Sequence, residues 1–145
     1  MKESILELKN ICNGYNGVTV LKNINITFKK GEITSVIAPN GGGKTTLFKT
    51  ACRLLKPASG EVLLDGKNIK EYVAKDLARR ISLLPQFRPV PEMSVFDLVA
   101  QGRFPYLNLA RRLSEEDKNI VNDAIIRVGI EALRDKSVEL LSGGE

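Results

Sequence analysis

The sequence predicts an α/β fold in which a mixed half of strands and helices gives way to a helical segment near residue 90. Polar and apolar residues alternate strictly over residues 23–28, and this period of two is typical of a half-buried strand. A β-branched run at residues 33–37 has the composition of a strand covered on both faces. It leads through a glycine-rich loop into apolar residues at helical spacing, so strand, loop and helix follow one another.

Three further strands follow from local signals. Residues 5–8 begin one strand and residues 61–64 form another, which ends at Asp65-Gly66, a strong hairpin-turn signal. A short apolar run at residues 81–84 predicts a third strand before an irregular, proline-containing segment.

The helices are marked by capping residues. Ser94 is a good N-cap, and Ser114 with Asp117 three residues later forms a capping box. Gly129 can end the helix that this box opens. We expect helices over residues 44–55, 74–80, 95–101 and 115–128.

The composition indicates one ordinary globular domain: 43% of the 145 residues are apolar and 27% are charged. No apolar stretch approaches the roughly 20 residues that span a bilayer, and the amino terminus lacks a signal-peptide pattern, so we expect a cytosolic product. Cys12 and Cys52 are widely spaced and histidine is absent, which argues against a zinc site or a disulfide framework.

The net charge of +5 does not indicate nucleic-acid binding. Residues 1–72 carry 11 basic and 6 acidic side chains, whereas residues 73–145 carry 11 of each. The basic residues form no run and no aromatic series accompanies them. We therefore expect no nucleic-acid partner.

The glycine-rich loop has the composition of a phosphate-binding loop. It reads Ala38-Pro39-Asn40-Gly41-Gly42-Gly43-Lys44-Thr45-Thr46. Consecutive glycines let several backbone N–H groups turn toward one anion, and the following helix adds its positive end. Lys44 can reach phosphate oxygens and the Thr45 hydroxyl can bind Mg²⁺, as in the Walker A pattern GxxxxGK[ST], here with Ala38 in place of the first glycine. The alternative is a plain structural turn.

The last five residues, Leu141-Ser142-Gly143-Gly144-Glu145, resemble the LSGGQ signature of ATP-binding cassette (ABC) ATPases. Ser142 and Glu145 also form a capping box, so a helix should begin there. The resemblance implies a P-loop NTPase fold of ABC type, with an antiparallel β subdomain and a helical subdomain. It divides the chain into residues 1–86, which hold the β subdomain and the phosphate-loop core, and residues 87–145, which hold the Q-loop and the helical subdomain up to the signature.

The resemblance also assigns roles to residues. It implies that ATP and Mg²⁺ are bound, with Lys44 and Gln86 as catalytic residues and Thr45 and Gln86 as metal ligands. Tyr15 matches the aromatic residue that stacks on adenine. The nucleotide-binding set is Tyr15, Val20, Asn40, Gly41, Gly42, Gly43, Lys44, Thr45, Thr46, Ser142, Gly143 and Gly144. The signature residues would meet the γ-phosphate held by the opposite protomer. The alternatives are that Tyr15 is a core tyrosine, that Gln86 is a surface glutamine and that the signature is only a helix cap.

Residues 93–106 (MSVFDLVAQGRFPY) are similar to a stretch typical of importers for iron-siderophore, haem and cobalamin complexes. The resemblance implies a homodimer or a paired ABC subunit that binds membrane permease subunits and serves an external substrate-binding protein indirectly. Its expected location is cytoplasmic, on the inner face of the plasma membrane. The alternative for residues 93–106 is that they only pack the helical subdomain.

The resemblance covers the whole chain but only part of the family's domain. No apolar run followed by Asp-Glu, which would be Walker B, and no histidine occur in the 145 residues. We therefore interpret the chain as truncated after the signature and expect it to lack ATPase activity by itself, because the Walker B carboxylates that would support Mg²⁺ and orient water are absent. The strand before the phosphate loop would then have an unpaired edge.

Three alternatives stay open. The chain could be a non-transport ABC ATPase of DNA repair or of the ribosome, although repair members have a long coiled coil that residues 86–141 are too short to hold. It could also bind nucleotide without hydrolysing it. A small kinase or GTPase would leave the signature unexplained.

Overall fold

Two long strands with alternating exposed and half-buried side chains begin the fold. The computed structural model describes residues 3–86, 90–107 and 112–142, which divide into two units, Met1–Leu83 and Leu84–Glu145. In the first unit, β1 (Ser4–Tyr15) pairs with β2 (Val18–Lys29) on one side and with β3 (Ser59–Leu64) on the other, and β4 (Lys67–Asn68) follows β3. All pairings are antiparallel. The predicted strands at residues 5–8, 23–28 and 61–64 are confirmed.

Helices cover one face of this sheet. The helix α1 (Lys44–Ala51) follows the glycine-rich loop, and α2 (Ala74–Ala78) follows a 3₁₀ turn at Ile69–Glu71. The buried residues of this core are Leu8, Ile11, Leu21, Leu47, Ala51, Val62, Leu64, Ile69 and Leu77. The core thus joins the sheet to the helix that starts at the glycine-rich loop.

Two asparagines offset the register between β1 and β2. Leu8 faces Ile26 and the next pair is Ile11 with Ile24, so β1 has one extra residue there. Asn10 takes this bulge at φ 52°, and Asn23 takes a compensating bulge on β2 at φ 49°. The strict alternation is therefore interrupted, yet both Leu8 and Ile11 remain buried in the core.

The Asp65-Gly66 turn is confirmed by its backbone. Both residues have positive φ, 48° and 74°, as a type I′ hairpin requires, and β3 and β4 pair across them. The Asp65 carboxylate also forms an ion pair with Arg80, which lies just after α2.

The helix expected over residues 44–55 ends earlier, at Ala51. Arg53 adopts a left-handed conformation with φ 60°, which stops the helix, and the N–H groups of Leu54 and Leu55 both donate to the Lys49 carbonyl. The Arg53 guanidinium donates to the carbonyls of Ile69 at 3.0 Å and Tyr72 at 2.6 Å. These contacts hold a conformation that is costly for a residue with a side chain, so tertiary contacts decided where the helix ends.

The predictions of strands at residues 33–37 and 81–84 are wrong. Residues 33–37 and 81–84 form no strand, and Ile33, Ile37 and Leu84 are 100%, 93% and 76% exposed. A strand needs a neighbour to accept its ladder hydrogen bonds. Among the described residues, the strands of the first unit pair with one another, and none pairs with either segment.

In the second unit, α3 (Val95–Ala100) and α4 (Glu115–Val128) pack around Ala100, Val121 and Ile125. The Ser94 hydroxyl accepts from the Asp97 N–H, which confirms the predicted N-cap. A 3₁₀ segment, Gln101–Tyr106, continues α3, and two more follow α4 at Glu131–Leu133 and Val138–Leu140. No helix in residues 3–86, 90–107 or 112–142 is long and apolar enough to cross a membrane.

The predicted capping box of α4 is confirmed, and Arg103 adds a further hydrogen bond to it. The Asp117 carboxylate accepts from the Ser114 N–H at 3.0 Å, while the Ser114 hydroxyl accepts from the Asp117 N–H at 3.1 Å. Arg103, which also stacks over the Tyr106 ring at 4.1 Å, donates to the same carboxylate at 2.9 Å. Gly129 ends the helix at φ 76°, as predicted. Asp117 therefore fastens the 3₁₀ segment to α4.

Asp117 should make stability depend on pH. The Ser114 N–H and hydroxyl, and then Arg103, lower the pKa of this carboxyl from its usual value. Because the folded-state pKa is lowered, the stabilisation is present above the ordinary value of about 4 and is lost as the pH falls through the folded-state pKa. We expect Asp117→Asn to flatten the decline in the free energy of unfolding from pH 7 to about 3. Urea unfolding at several pH values measures it. Asp123→Asn, an exposed change in the same helix, is the control, and equal pH profiles for Asp117→Asn and the wild type would contradict the assignment.

Candidate functional site

The glycine-rich loop is folded by its own backbone. The Gly42 N–H donates to the Pro39 carbonyl at 3.0 Å, and Gly41 and Gly43 have φ values of 77° and 85°. Residues that carry a Cβ rarely adopt these φ values, so glycine is strongly favoured at both positions. Successive residues in right- and left-handed helical or turn conformations direct their N–H groups to one side, which is the geometry of an anion-binding nest.

Two of the three glycines are also required for space. A Cβ on Gly42 would lie 2.9 Å from the Ala38 Cβ, and one on Gly43 would lie 2.9 Å from Val20 Cγ1. Nothing lies within 4 Å of a Cβ on Gly41. The Ala38 methyl thus occupies the room beside Gly42, and Val20 packs directly under the turn that leads into α1.

Lys44 lies over the loop. Its ammonium donates to the carbonyls of Ala38 at 2.6 Å and Pro39 at 2.9 Å, and the residue is half-buried. An ammonium has three protons, so one remains for an anion above the loop. The lysine is therefore held against the backbone of the glycine-rich loop, with its positive charge beside the amino-terminal end of α1.

The amino-terminal end of α1 is open to a ligand. Its N-cap is Gly43, which supplies no side chain to the first turn, and no acidic residue lies in that turn. The free N–H groups and the helix dipole favour an anion there. Thr45 is exposed in this turn, so its hydroxyl can reach a ligand, whereas Thr46 is only 5% exposed and its carbonyl accepts from Thr50.

Tyr15 lies at the hairpin end of β1, which is an inner strand of the sheet. It ends β1, pairs with Val18 across a turn in which Asn16 and Gly17 have φ values of 49° and 79°, and is 45% exposed. Gly14 before it has no room for a Cβ, which would overlap the Val18 carbonyl oxygen. The hairpin that carries the ring is thus tightly closed.

Apart from Asn40, the other predicted site residues belong to the second unit or lie outside the described residues. Gln86 and Ser142 are both exposed there, and Gln86 does not follow a strand. Gly143 and Gly144, and the helix expected to begin at Ser142, lie outside the described residues. The exposed Asn40 belongs to the loop of the first unit.

The sequence did not single out Asn13 and Thr50. Asn13 is 4% exposed and its amide donates to the Thr50 hydroxyl at 2.9 Å. The signal in the sequence is that Asn13 lies two residues after the apolar Ile11, and therefore on the same, buried face of β1. It was obscured by the bulge at Asn10, which shifts the alternation.

This arrangement defines a class of protein: a phosphate-loop nucleotide-binding domain in which an antiparallel sheet packs on the helix that follows the loop. The family described as ABC transporter matches residues 21–145. The chain belongs to that family, and the α/β fold of ABC type expected from the sequence is confirmed.

Its relatives include ATP-binding proteins that are named for the transport of iron chelates. The ferric enterobactin transport ATP-binding protein FepC of Escherichia coli K12 is 43% identical and matches 100% of this chain and 55% of its own length. The iron(3+)-hydroxamate import ATP-binding protein FhuC of Bacillus subtilis is 38% identical over 91% of this chain and 49% of its own length. The chain therefore spans about half the length of the curated relatives that it matches.

Solved structures agree with this fold. CbiO1 of Clostridium perfringens, part of the ABC transporter complex cbiONQ, has a TM-score of 0.80 at 35% identity, with 99% of this chain and 57% of that chain covered. The dimeric ATP-binding cassette MJ0796, bound to ADP and phosphate, has a TM-score of 0.75 at 25% identity, with 97% of this chain and 64% of that chain covered.

Proposed function

We propose that the chain binds MgATP and forms the amino-terminal part of an ATPase subunit that powers import of an iron chelate. The observation that carries this proposal is the amino-terminal end of α1, which begins at Lys44 and has no side-chain cap. The proposal is supported by relatives that are named for the transport of iron chelates. The triphosphate would lie against the N–H groups of residues 41–46, where the loop and the helix dipole both attract negative charge.

A magnesium ion fits the Thr45 position. The hydroxyl is an oxygen ligand on an exposed residue in the first turn of α1, and Mg²⁺ prefers oxygen ligands shared with phosphates. The bound ion would neutralise charge on the transferring phosphoryl group. We propose Gln86 as the second ligand and as a catalytic residue, in agreement with the family motif.

The adenine base would stack on Tyr15, with Val20 below the loop. The exposed ring at the end of β1 offers one face, and stacking tolerates any base because it reads no hydrogen-bonding edge. The loop residues Asn40, Gly41, Gly42 and Gly43, with Lys44, Thr45 and Thr46, would hold the phosphates.

The transported compound is proposed to be a metal chelate: an iron-siderophore, haem or cobalamin complex. Relatives named for ferric enterobactin and iron(3+)-hydroxamate favour the siderophore type. We also propose that the whole protein binds permease subunits on the cytoplasmic face of the plasma membrane, and that an external binding protein delivers the chelate to the permease.

Hydrolysis would require residues beyond this chain. The 145 residues include no histidine and no Asp-Glu pair, so we propose that they bind ATP without steady phosphate release. The exposed runs at residues 33–37 and 81–84 would then pair with strands from the remainder of the protein, which would cover their unpaired backbone groups.

The base-stacking role of Tyr15 provides the test of ATP binding. We expect Tyr15→Ala to weaken ATP binding by about 1–3 kcal/mol, because base-aromatic stacking has that magnitude. Isothermal titration with ATP measures the loss, and inorganic triphosphate, which has no base, should bind equally to the variant and the wild type.

Tyr15→Phe is the matched control because it keeps the ring, and it should retain most of the affinity. An equal loss for ATP and inorganic triphosphate in Tyr15→Ala would contradict stacking. A wild-type chain that binds neither compound would contradict the proposed function itself.

We propose that Ser142, Gly143 and Gly144 act across a dimer. The N–H groups and hydroxyl of the signature would meet the γ-phosphate bound at Lys44 of the partner, and two such sites would close a symmetric dimer. The cassette MJ0796, solved as a dimer bound to ADP and phosphate, supports the formation of a dimer.

In the whole protein, Ser142→Arg should therefore abolish ATP-driven dimerisation and leave ATP binding by the monomer intact, because the guanidinium fills the space that the phosphate enters. Size-exclusion chromatography with ATP measures it. A mixture of Lys44→Ala and Ser142→Arg chains forms one site with both defects and one with neither, so it should regain activity. A mixture no more active than either variant alone would contradict an arrangement across the dimer.

A further inference from the structure

A chain of buried polar groups runs from the hairpin of Tyr15 to the first turn of α1. Asn13, Thr50 and Thr46 are 4%, 1% and 5% exposed. The Gly14 N–H donates to Asn13 Oδ1 at 2.9 Å, Asn13 Nδ2 donates to Thr50 Oγ1 at 2.9 Å, and the Thr50 hydroxyl donates to the Thr46 carbonyl at 2.7 Å. These three hydrogen bonds are continuous.

The direction of each bond is fixed by its partners. The Gly14 N–H can only donate and the Lys56 carbonyl, 3.2 Å from Asn13 Nδ2, can only accept, so the orientation of the Asn13 amide is determined. The Thr50 hydroxyl has to donate to the Thr46 carbonyl and therefore accepts from Asn13. Among the described residues, no buried side-chain nitrogen or oxygen lacks a partner.

The two ends of this chain adjoin the two halves of the candidate site. Gly14 directly precedes Tyr15, and its backbone is too close to Val18 to accept a Cβ. Thr46 directly follows Thr45 in the turn of α1 nearest the phosphate loop. A shift of the hairpin relative to α1 would break a buried hydrogen bond, and an unmade buried bond is costly.

We propose that Asn13 and Thr50 are positioning residues that set the distance between the ring of Tyr15 and the phosphate loop, so that one nucleotide can contact both. They touch neither base nor phosphate. The inference rests on the proposed binding of ATP, and it goes beyond it by naming the residues that align the two halves of that site.

The test compares variants at position 50 for their affinities toward ATP and inorganic triphosphate. Thr50→Val keeps the shape of the side chain and removes the hydroxyl, and Thr50→Ser restores the hydroxyl. Thr50→Val should lower the affinity for ATP about three- to tenfold while that for triphosphate changes less than about twofold. Thr50→Ser should retain the affinity of the wild type.

A double-mutant cycle with Tyr15 separates positioning from a purely structural role. If Thr50 acts through the ring, Thr50→Val should have almost no effect on ATP affinity in a Tyr15→Ala background. Thermal unfolding of each variant sets a binding temperature at which it is folded. If Thr50→Val does not fold, Thr50→Ala also removes the hydroxyl and has a higher helix propensity.

Equal losses for ATP and triphosphate, or full additivity with Tyr15→Ala, would overturn the proposal while leaving ATP binding intact. A wild-type chain that binds neither compound would overturn the proposed function and this inference with it. A wild type that binds both compounds equally, with no effect of Tyr15→Ala, would refute base stacking and therefore the alignment role.

Discussion

Lys44→Ala is expected to weaken ATP binding by about 10- to 100-fold. A charge-assisted hydrogen bond contributes about 1.5–3 kcal/mol, and each 1.4 kcal/mol is a tenfold change in affinity. The ammonium is held over the loop by the carbonyls of Ala38 and Pro39, so it reaches an incoming phosphate with little ordering cost. Titration with a fluorescent ATP analogue measures the affinity.

The matched control is Lys49→Ala. It removes the same charge from the same helix, but Lys49 lies in the last turn and is exposed. We expect its affinity to stay within about twofold of the wild type, because Lys49 lies about one and a half turns along α1 from Lys44 and its exposed charge acts on the phosphates only through solvent of high dielectric. Equal losses in the two variants would show that Lys44 acts only through net charge, and an unchanged affinity in Lys44→Ala would contradict phosphate binding by the loop.

Gly60→Ala is expected to cause a large loss of stability. Gly60 lies in β3 at φ 85°, where β3 passes the bulge of β1, and a Cβ there would overlap the carbonyl oxygens of Lys9 and Asn10. The left-handed conformation costs a non-glycine residue about 1–2 kcal/mol, and forced overlap adds about 1–3 kcal/mol. We expect a decrease of about 2–5 kcal/mol in the free energy of unfolding, measured by urea denaturation.

Gly66→Ala separates the two contributions. Gly66 also has a positive φ, 74°, but nothing lies within 4 Å of its Cβ position. Its alanine variant should lose only the backbone contribution of about 1–2 kcal/mol. If the two variants were equally stable, the close approach of β3 to the bulge would not constrain the fold.

Much of the candidate site could be predicted from the sequence because its signals are local. Gly41 and Gly43 have the positive φ values that the glycine-rich loop implied, and Lys44 begins a helix as expected. Ser114 and Asp117 form the expected capping box for the same reason: the groups that interact are three residues apart. These interactions join residues no more than three or four positions apart, so they can be read from the local sequence.

Other features were decided only by the tertiary structure. Residues 33–37 have the composition of a strand, but composition cannot supply the neighbouring strand that completes its hydrogen bonds. Arg53 ends α1 in a left-handed conformation held by carbonyls 16 and 19 residues away.

The glycine-rich loop, its lysine, the Asp65-Gly66 hairpin and the caps of α4 could all be predicted from the sequence, since each depends on the backbone preferences of adjacent residues. Only the tertiary structure joined Asn13 to Thr50, which are 37 residues apart, and Arg103 to Asp117, which are 14 apart. The physical reason is that a buried polar group must find its partner wherever the folded chain brings one, and that place is not encoded in the neighbouring sequence.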